Sequence, residues 1–481
     1  MSSSLHTDEP ISDRRLTVLS IVLLIGAMTS ILDTTIVNVA LDTLHTVFHS
    51  SVADTQWVSS GYLLGLAGVI PLTGWASERF GTRTVWMTAV ALFLLGSILC
   101  GFAWDLPSLI FFRVLQGIGG GVILPVTLTI LTQAAGPSRL ARAMTAIVLP
   151  AQLAPILGPV IGGALVDAAS WNWLFFVNIP LCVVALVLAA IYLPADIRDR
   201  GRRLDLPGFA LLTPGLVALA YGISQAASGF EQPKAWLPIV IGVALVLCFV
   251  AYSLRARGVP LIDVRLFARR GFGLSSVLTF AAGFSSFAAM FLLPLFYQQV
   301  RGETPFATGL LLIPQGLGTI TFLLLNRRLP GIDVRIIVVG GIVLTMIGAL
   351  PFALAGASGG DALLLVGQFV RGFGVGASTL PIMTIAFAGL ARPEVPRASA
   401  AFSVVQRVGA PFGVTVVAVI FESYLSHAVA VGAPVLGAFT ATFWWVIAFS
   451  VVPLGLALLL PRPAKDAAPA PQLSPEPIPE A

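Results

Sequence analysis

Two charged residues of opposite sign stand inside long apolar runs. Asp33 lies in Ile31-Leu-Asp-Thr-Thr-Ile-Val-Asn38-Val-Ala-Leu41, and Arg113 opens Arg113-Val-Leu-Gln116-Gly117. At 1.5 Å of rise per residue, each sits roughly 10–12 Å inside a spanning helix. A carboxylate at such depth costs about 2.5–3.5 kcal/mol on insertion scales. It persists by facing a polar cavity, by pairing, or by taking up a proton, so Asp33 reads as a proton or cation site or as an ion-paired packing residue. Arginine keeps its charge throughout. Arg113 is therefore either a fixed positive partner that sets when the carboxylate releases its proton, or half of a structural salt bridge. Arg371 and Arg407 are likewise embedded, with structure and function equally open for both, while Glu422 near a helix end reads as an interfacial anchor.

Two further segments carry spacing rather than buried charge. Gly74-Trp-Ala-Ser-Glu78-Arg79-Phe-Gly81-Thr-Arg83 ends one apolar run and turns tightly into the next. Gly81 supplies the turn and Arg83 a cytoplasmic charge. Glu78 can oppose a helix N-terminus in the other half, where an anion gains about 0.3–1 kcal/mol. Ala154-Pro-Ile-Leu-Gly158-Pro159-Val-Ile-Gly162-Gly163 combines small residues, which let backbones approach, with a proline that removes a helical hydrogen bond. A plain packing face explains that pattern as well as a transport role does.

The elements holding these residues are membrane helices. Apolar residues make up 57% of the 481, charged residues only 10%, and the mean hydropathy is +0.95, too few charges to cover a soluble surface. Apolar stretches of about 20 residues, enough to cross a bilayer core, begin near residues 16, 57, 85, 107, 142, 172, 207, 236, 271, 307, 335, 361, 398 and 438. The fold class is an all-α membrane protein with fourteen transmembrane helices. Of the 27 Lys and Arg, 22 fall in alternate loops and the tails, against Lys234 and Arg301 in the opposite loops. That asymmetry places both termini in the cytoplasm.

Arg113-Val-Leu-Gln116-Gly117 returns about 255 residues later as Gln368-Phe-Val-Arg371-Gly372, and the same offset pairs Arg142 with Arg397 and Gly158 with Gly413. The chain thus divides into two six-helix bundles plus two inserted central helices, with a transport site expected between the halves. The expected divisions are a cytoplasmic tail (1–15), an N-terminal bundle (16–194), a cytoplasmic loop (195–206), two inserted helices (207–256), a C-terminal bundle (257–460) and a disordered Pro-rich cytoplasmic tail (461–481).

Other chemistry is not indicated. The net charge of +5 is spread over loops, which argues against nucleic acid, and Cys100, Cys182 and Cys248 are isolated in apolar runs. The glycine clusters lack the strand and the Lys-Ser/Thr of a phosphate loop. No catalytic grouping or metal-ligand spacing stands out, so no enzyme, cofactor or metal is expected.

Together, Leu32-Asp33-Thr-Thr-Ile-Val-Asn38-Val-Ala-Leu41, Trp57-Val-Ser-Ser-Gly-Tyr62, the Gly74–Arg83 loop, Arg113…Gln116-Gly117, Gly158-Pro159…Gly162-Gly163 and Trp171-Asn-Trp-Leu-Phe-Phe-Val-Asn178-Ile-Pro180 resemble the major facilitator superfamily. They are most similar to its fourteen-helix drug:proton antiporters, over Leu16 to Leu460. Glu78 stands where that family usually has Asp, Ala154 where many members have Gly, and the loop motif is not legible in the second half beyond Arg327, Arg328 and Gly331. The resemblance implies the major-facilitator fold, alternating access, and export of hydrophobic drugs coupled to protons through Asp33 and Arg113. It also implies a conformational switch at Gly74, Glu78, Arg79, Gly81 and Arg83, and an antiporter motif at Gly158, Pro159, Gly162 and Gly163.

Because Asp33 is the one clearly mid-membrane carboxylate, the expected substrates are neutral or monocationic lipophiles; a dedicated exporter of one metabolite, such as an endogenous antibiotic or lipid-like compound, is the alternative. Asn38, Gln116, Trp57, Met290, Phe291 and Tyr297 are the expected cavity residues, an adaptable apolar wall with a few polar groups. The expected partners are small lipophilic substrates, protons and the lipid bilayer of a bacterial plasma membrane, with the chain acting as a monomer.

Overall fold

The computed structural model describes residues 12–39, 41–50, 52–168, 170–196, 199, 201, 203–226, 232–256, 260–326, 332–354 and 360–460. The expected tail at 461–481, most of the tail at 1–15, the side chains of Asn38, Pro159 and Gly163, and Arg327, Arg328 and Gly331 lie outside the described residues.

Helices account for nearly all of the described chain, because a backbone in hydrocarbon must satisfy its hydrogen bonds within each segment. The first half comprises α1 (Asp13–Val39), α2 (Leu41–Val47), α3 (Val52–Thr55), α4 (Trp57–Val69), α5 (Leu72–Phe80), α6 (Thr82–Gly101), α7 (Leu106–Ala168), α8 (Trp173–Phe176) and α9 (Asn178–Tyr192). α10 (Leu206–Ala226) and α11 (Pro233–Arg255) follow. The second half comprises α12 (Arg270–Leu295), α13 (Pro305–Leu325), α14 (Val334–Leu354), α15 (Asp361–Ala388), α16 (Val395–Ala430), α17 (Leu436–Phe449) and α18 (Val451–Ala457).

Two expected boundaries look different here. The second expected helix is a bent pair, α4 and α5, with 56° between them at Pro71. The fourth and fifth run on as α7, broken only at Gly136, whose φ of 63° precedes a proline that cannot continue the helical bonding. Among the described residues twelve helices are long and apolar enough to cross a membrane, and the bent pair brings the number to thirteen. The helical stretch from 137 to 168 occupies the place of the fifth expected span.

The repeat is visible in the backbone. A Cβ added to Gly117 would strike the carbonyl of Tyr62, and one added to Gly372, 255 residues on, would strike that of Gln315. Thus α7 sits on α4 as α15 sits on α13, and the offset pairs Arg113 with Gln368 and Gln116 with Arg371. The inserted hairpin lies against both halves. Thr213 donates to the Gly68 carbonyl at 3.2 Å and Thr415 donates to that of Ile223 at 3.4 Å. The far side of the hairpin shows Val240, Ile241 and Leu247 outward, as a lipid-facing surface requires.

Burial is distributed unevenly along the long axis. Near the end carrying Arg79, Arg83 and Arg397, the halves share one core in which Leu16, Val126 and Met144 are continuous with Met383, Ala398 and Phe402. Toward the opposite end the cores are separate, one around Leu32, Ile36 and Leu109, the other around Leu292, Phe352 and Phe439. Among the described residues the halves therefore share one buried core at the Arg-rich end and keep separate cores toward the other.

Candidate functional site

Five helices of the first half converge on Asp33. The chain continues as helix past it, and the neighbouring hydroxyls bond back to their own backbone, Thr34 to Ile31 O at 2.6 Å and Thr35 to Leu32 O at 2.9 Å. Asp33 is fully buried, and Arg113 of α7 is 1% exposed. Arg113 Nη1 donates to Asp33 Oδ2 at 2.5 Å and to Gln116 Oε1 at 2.6 Å, while its Nε donates to the Val58 carbonyl at 3.0 Å. Its guanidinium also lies 4.3 Å from the centre of the Tyr62 ring, a cation–π contact that strengthens when water is excluded.

The other carboxylate oxygen has neutral partners. Gln116 Nε2 donates to Asp33 Oδ1 at 2.9 Å and to Ser97 at 2.6 Å, and Asn178 Nδ2 donates to the same two acceptors at 3.0 and 3.2 Å. All three neighbours are donors, the arrangement an ionised carboxylate needs. Tyr62 extends the network, its hydroxyl 3.0 Å from that of Ser30, which donates to Gly120 O at 3.3 Å. Arg407 of α16 lies within electrostatic range of that tyrosine from the other half.

At the Arg-rich end, Glu78 meets α16 at its first turn. Arg397 Nε and Nη2 donate to the two Glu78 oxygens at 2.7 and 3.0 Å, a bidentate pair joining the halves. The helix N-terminus expected opposite Glu78 is thus present, with an arginine on it. Gly81 has a φ of 92°, and a Cβ there would collide with Asp196. The space lets Asp196 cap α6, accepting from Arg83 N at 2.8 Å and from the Thr84 hydroxyl at 2.5 Å. The Arg83 guanidinium closes the clasp on the carbonyls of Ala190 and Leu193, at 2.6 and 3.3 Å. Arg79 is half-buried on α5. Trp75, Arg203 and Asp205 border a shallow recess beside the Glu78–Arg397 pair.

The remaining expected residues separate. Gln116 belongs to the Asp33 network rather than to a cavity wall, and Trp57 stacks on Tyr221 of the inserted hairpin at 5.5 Å. Tyr297 is buried in the second-half core against Phe296 and Phe352. Met290 and Phe291 are half-buried in α12. Gly158 and Gly162 press the far stretch of α7 onto α1, where a Cβ would meet Thr35 and Ile36, just beyond Asp33. Arg371 is buried, donating to Gln315 Oε1 at 2.9 Å and to the Ser285 carbonyl at 3.3 Å, and no carboxylate among the described residues pairs with it.

Ser97, Asn178, Tyr62 and Asp196 were given no role by the sequence, and Arg397 only that of a loop charge matching Arg142 in the repeat. For Ser97, Tyr62 and Asn178 the available signal was polarity inside an apolar run, clearest at Asn178.

The model of the Major Facilitator Superfamily matches residues 23–414, and the chain belongs to that superfamily. A multidrug resistance protein B homolog of Mycobacterium tuberculosis is 38% identical over 404 residues, 82% of this chain and 74% of its own. MdtD of Salmonella typhimurium, named for multidrug resistance, is 34% identical over 288 residues, 60% of this chain and 61% of its own. Among solved structures, the human organic anion transporter MFSD10 superposes with a TM-score of 0.62 at 15% identity, covering 92% of this chain and 99% of that one. The proton:xylose symporter XylE gives 0.61 at 14% identity, over 93% and 96%. At such identity these two share the fold alone. The chain is a multi-pass membrane transporter related to multidrug resistance proteins.

Proposed function

We propose that the protein is a proton-driven exporter, a drug/proton antiporter of lipophilic neutral or monocationic compounds working by alternating access, without a cofactor. The observation that carries the reading is the ion pair of Asp33 and Arg113, buried in the first half with every carboxylate oxygen satisfied by a donor. With the Arg-rich end in the cytoplasm of a bacterial cell, as the loop asymmetry favours, the separate cores toward the other end support an outward-facing state, held by Glu78 and Arg397.

In that state a proton arriving from outside neutralises Asp33 and loosens its hold on Arg113. The halves then part at the cytoplasmic end, and substrate binding there favours return of the proton to the cytoplasm. One proton crossing about 100 mV releases about 2.3 kcal/mol, and one pH unit adds 1.36 kcal/mol. That sum sustains a gradient of several hundredfold for a neutral substrate. The related multidrug resistance proteins support the substrate class.

The test is efflux of lipophilic dyes from proteoliposomes with an imposed pH gradient. Wild type should acidify the compartment from which dye is withdrawn, and Asp33→Asn should abolish both signals with the protein still folded. Proton-linked efflux retained by Asp33→Asn would refute the proposal.

A further inference from the structure

The hydrogen bonds around Asp33 leave one polar atom unused. Asn178 opens α9 and is 1% exposed, and its Nδ2 is shared between Asp33 Oδ1 and Ser97 Oγ. Its Oδ1 is buried with no hydrogen-bond partner. An orphaned buried acceptor costs free energy, and a state that offers it a donor recovers that cost. The groups facing Asp33 are Arg113 and Gln116 of α7, Tyr62 of α4, Ser97 and Cys100 of α6, and Asn178 and Cys182 of α9. Arg407 is the charged group of the second half that lies toward Tyr62.

These neighbours determine where a proton can go. Oδ2 faces the guanidinium of Arg113, a permanent donor, so a proton cannot settle there without repulsion. Oδ1 faces only neutral amides. A proton on Oδ1 becomes a donor and needs an acceptor where two N–H groups now point. Gln116 cannot provide one by turning, because its Oε1 already accepts from Arg113 at 2.6 Å, and the turn would set an NH₂ against a guanidinium. Asn178 has no such restraint, since its oxygen is committed to nothing.

We infer that Asn178 is a positioning residue that follows the protonation state of Asp33, its amide donating to the ionised carboxylate and turning over to accept from the protonated acid. The inference rests on Asp33 being the proton site proposed above. It makes the first residue of α9 the element that senses loading, and it links that sensing to Ser97 on α6, the second acceptor the amide holds now and would release on turning.

The experiment uses full-length protein in detergent, with infrared difference spectra between acid and alkaline pH. The carboxylic-acid carbonyl band that disappears in Asp33→Asn identifies the Asp33 proton, and its titration gives a midpoint. In Asn178→Leu the ionised form loses a charge-assisted bond, about twice as strong as the neutral bond lost by the acid. The midpoint should rise by about one pH unit, a tenfold change in proton affinity. The band should also move to higher frequency, because the acid no longer donates to an amide. Asn178→Ala removes the same donor and acceptor and should raise the midpoint likewise, which covers the case of Asn178→Leu failing to fold. An Asp33 band whose midpoint and frequency are unchanged in the folded Asn178 variants would overturn the inference alone. No such band in wild type would remove the proton-site reading, and the inference with it.

Discussion

The two halves are built on one backbone plan and differ in charge. α7 rests on α4 at Gly117 as α15 rests on α13 at Gly372, and a buried arginine sits beside each contact. In the first half that arginine meets Asp33 from α1. In the second half the equivalent helix, α12, offers Arg371 only the carbonyl of Ser285, and Gln315 supplies a neutral acceptor. The order of the pair is also reversed, Arg113 before Gln116 but Gln368 before Arg371. The scaffold was kept while the titratable group was confined to one side. Of the two embedded sites, only the first pairs its arginine with a carboxylate among the described residues.

The largest effect that tests this contrast is on stability. Arg113→Leu leaves a buried carboxylate uncompensated and should cost about 3–5 kcal/mol. Arg371→Leu removes a charge that has no counter-charge and should be close to neutral or stabilising. Thermal unfolding in detergent compares them, and equal losses would end the distinction between the halves. Gln315→Glu, which gives Arg371 the partner it lacks, should raise the melting temperature by the equivalent of about 1–2 kcal/mol. A fall would show that neutrality around Arg371 is itself required.

A smaller effect is expected where the halves meet. Glu78→Gln keeps the shape of the bridge to Arg397 but loses its charge, at about 1 kcal/mol for a partly exposed pair. The population closed at the Arg-rich end should fall about fivefold relative to the open one, read by spin-label distances across that end. The smallest effect concerns Glu394, which lies at the entry to α16. The side-chain bond from Arg269, at 2.9 Å to Oε2, together with the Ala391 amide, holds its carboxyl below the ordinary glutamate range. A depressed carboxylate stabilises above its unfolded pKa and loses that contribution as pH falls through the folded one. Glu394→Gln should therefore lower stability by under about 1 kcal/mol at neutral pH, with the difference vanishing in acid.

The sequence made the membrane class, the repeat and the charges of the site legible because each is a departure from a uniform apolar background. Asp33 and Arg113 were conspicuous, and equal depth was enough to suggest that they meet. Asn178 and Ser97 were not, since neutral polar residues are common in such helices and only three-dimensional convergence gives them a role. The cavity residues were harder still. Trp57 and Tyr297 were chosen for side-chain type, but a face cannot be assigned without knowing what α4 and α12 pack against, and both rings turned out to pack against neighbouring rings. The interruption within α7 and the bend between α4 and α5 follow from glycine and proline, yet their angles depend on the helices around them.

The inserted hairpin begins and ends at one residue. Asp205 accepts from Gly208 N at 3.0 Å and from the Tyr252 hydroxyl at 2.7 Å, while its other oxygen accepts from Leu261 N at 2.9 Å. The chain therefore leaves the twelve-helix body and rejoins it at nearly the same point in space. One carboxylate thus acts as a clasp for the whole hairpin: the two helices hang from a single point of the chain, and a short connection there would span the gap between 205 and 261.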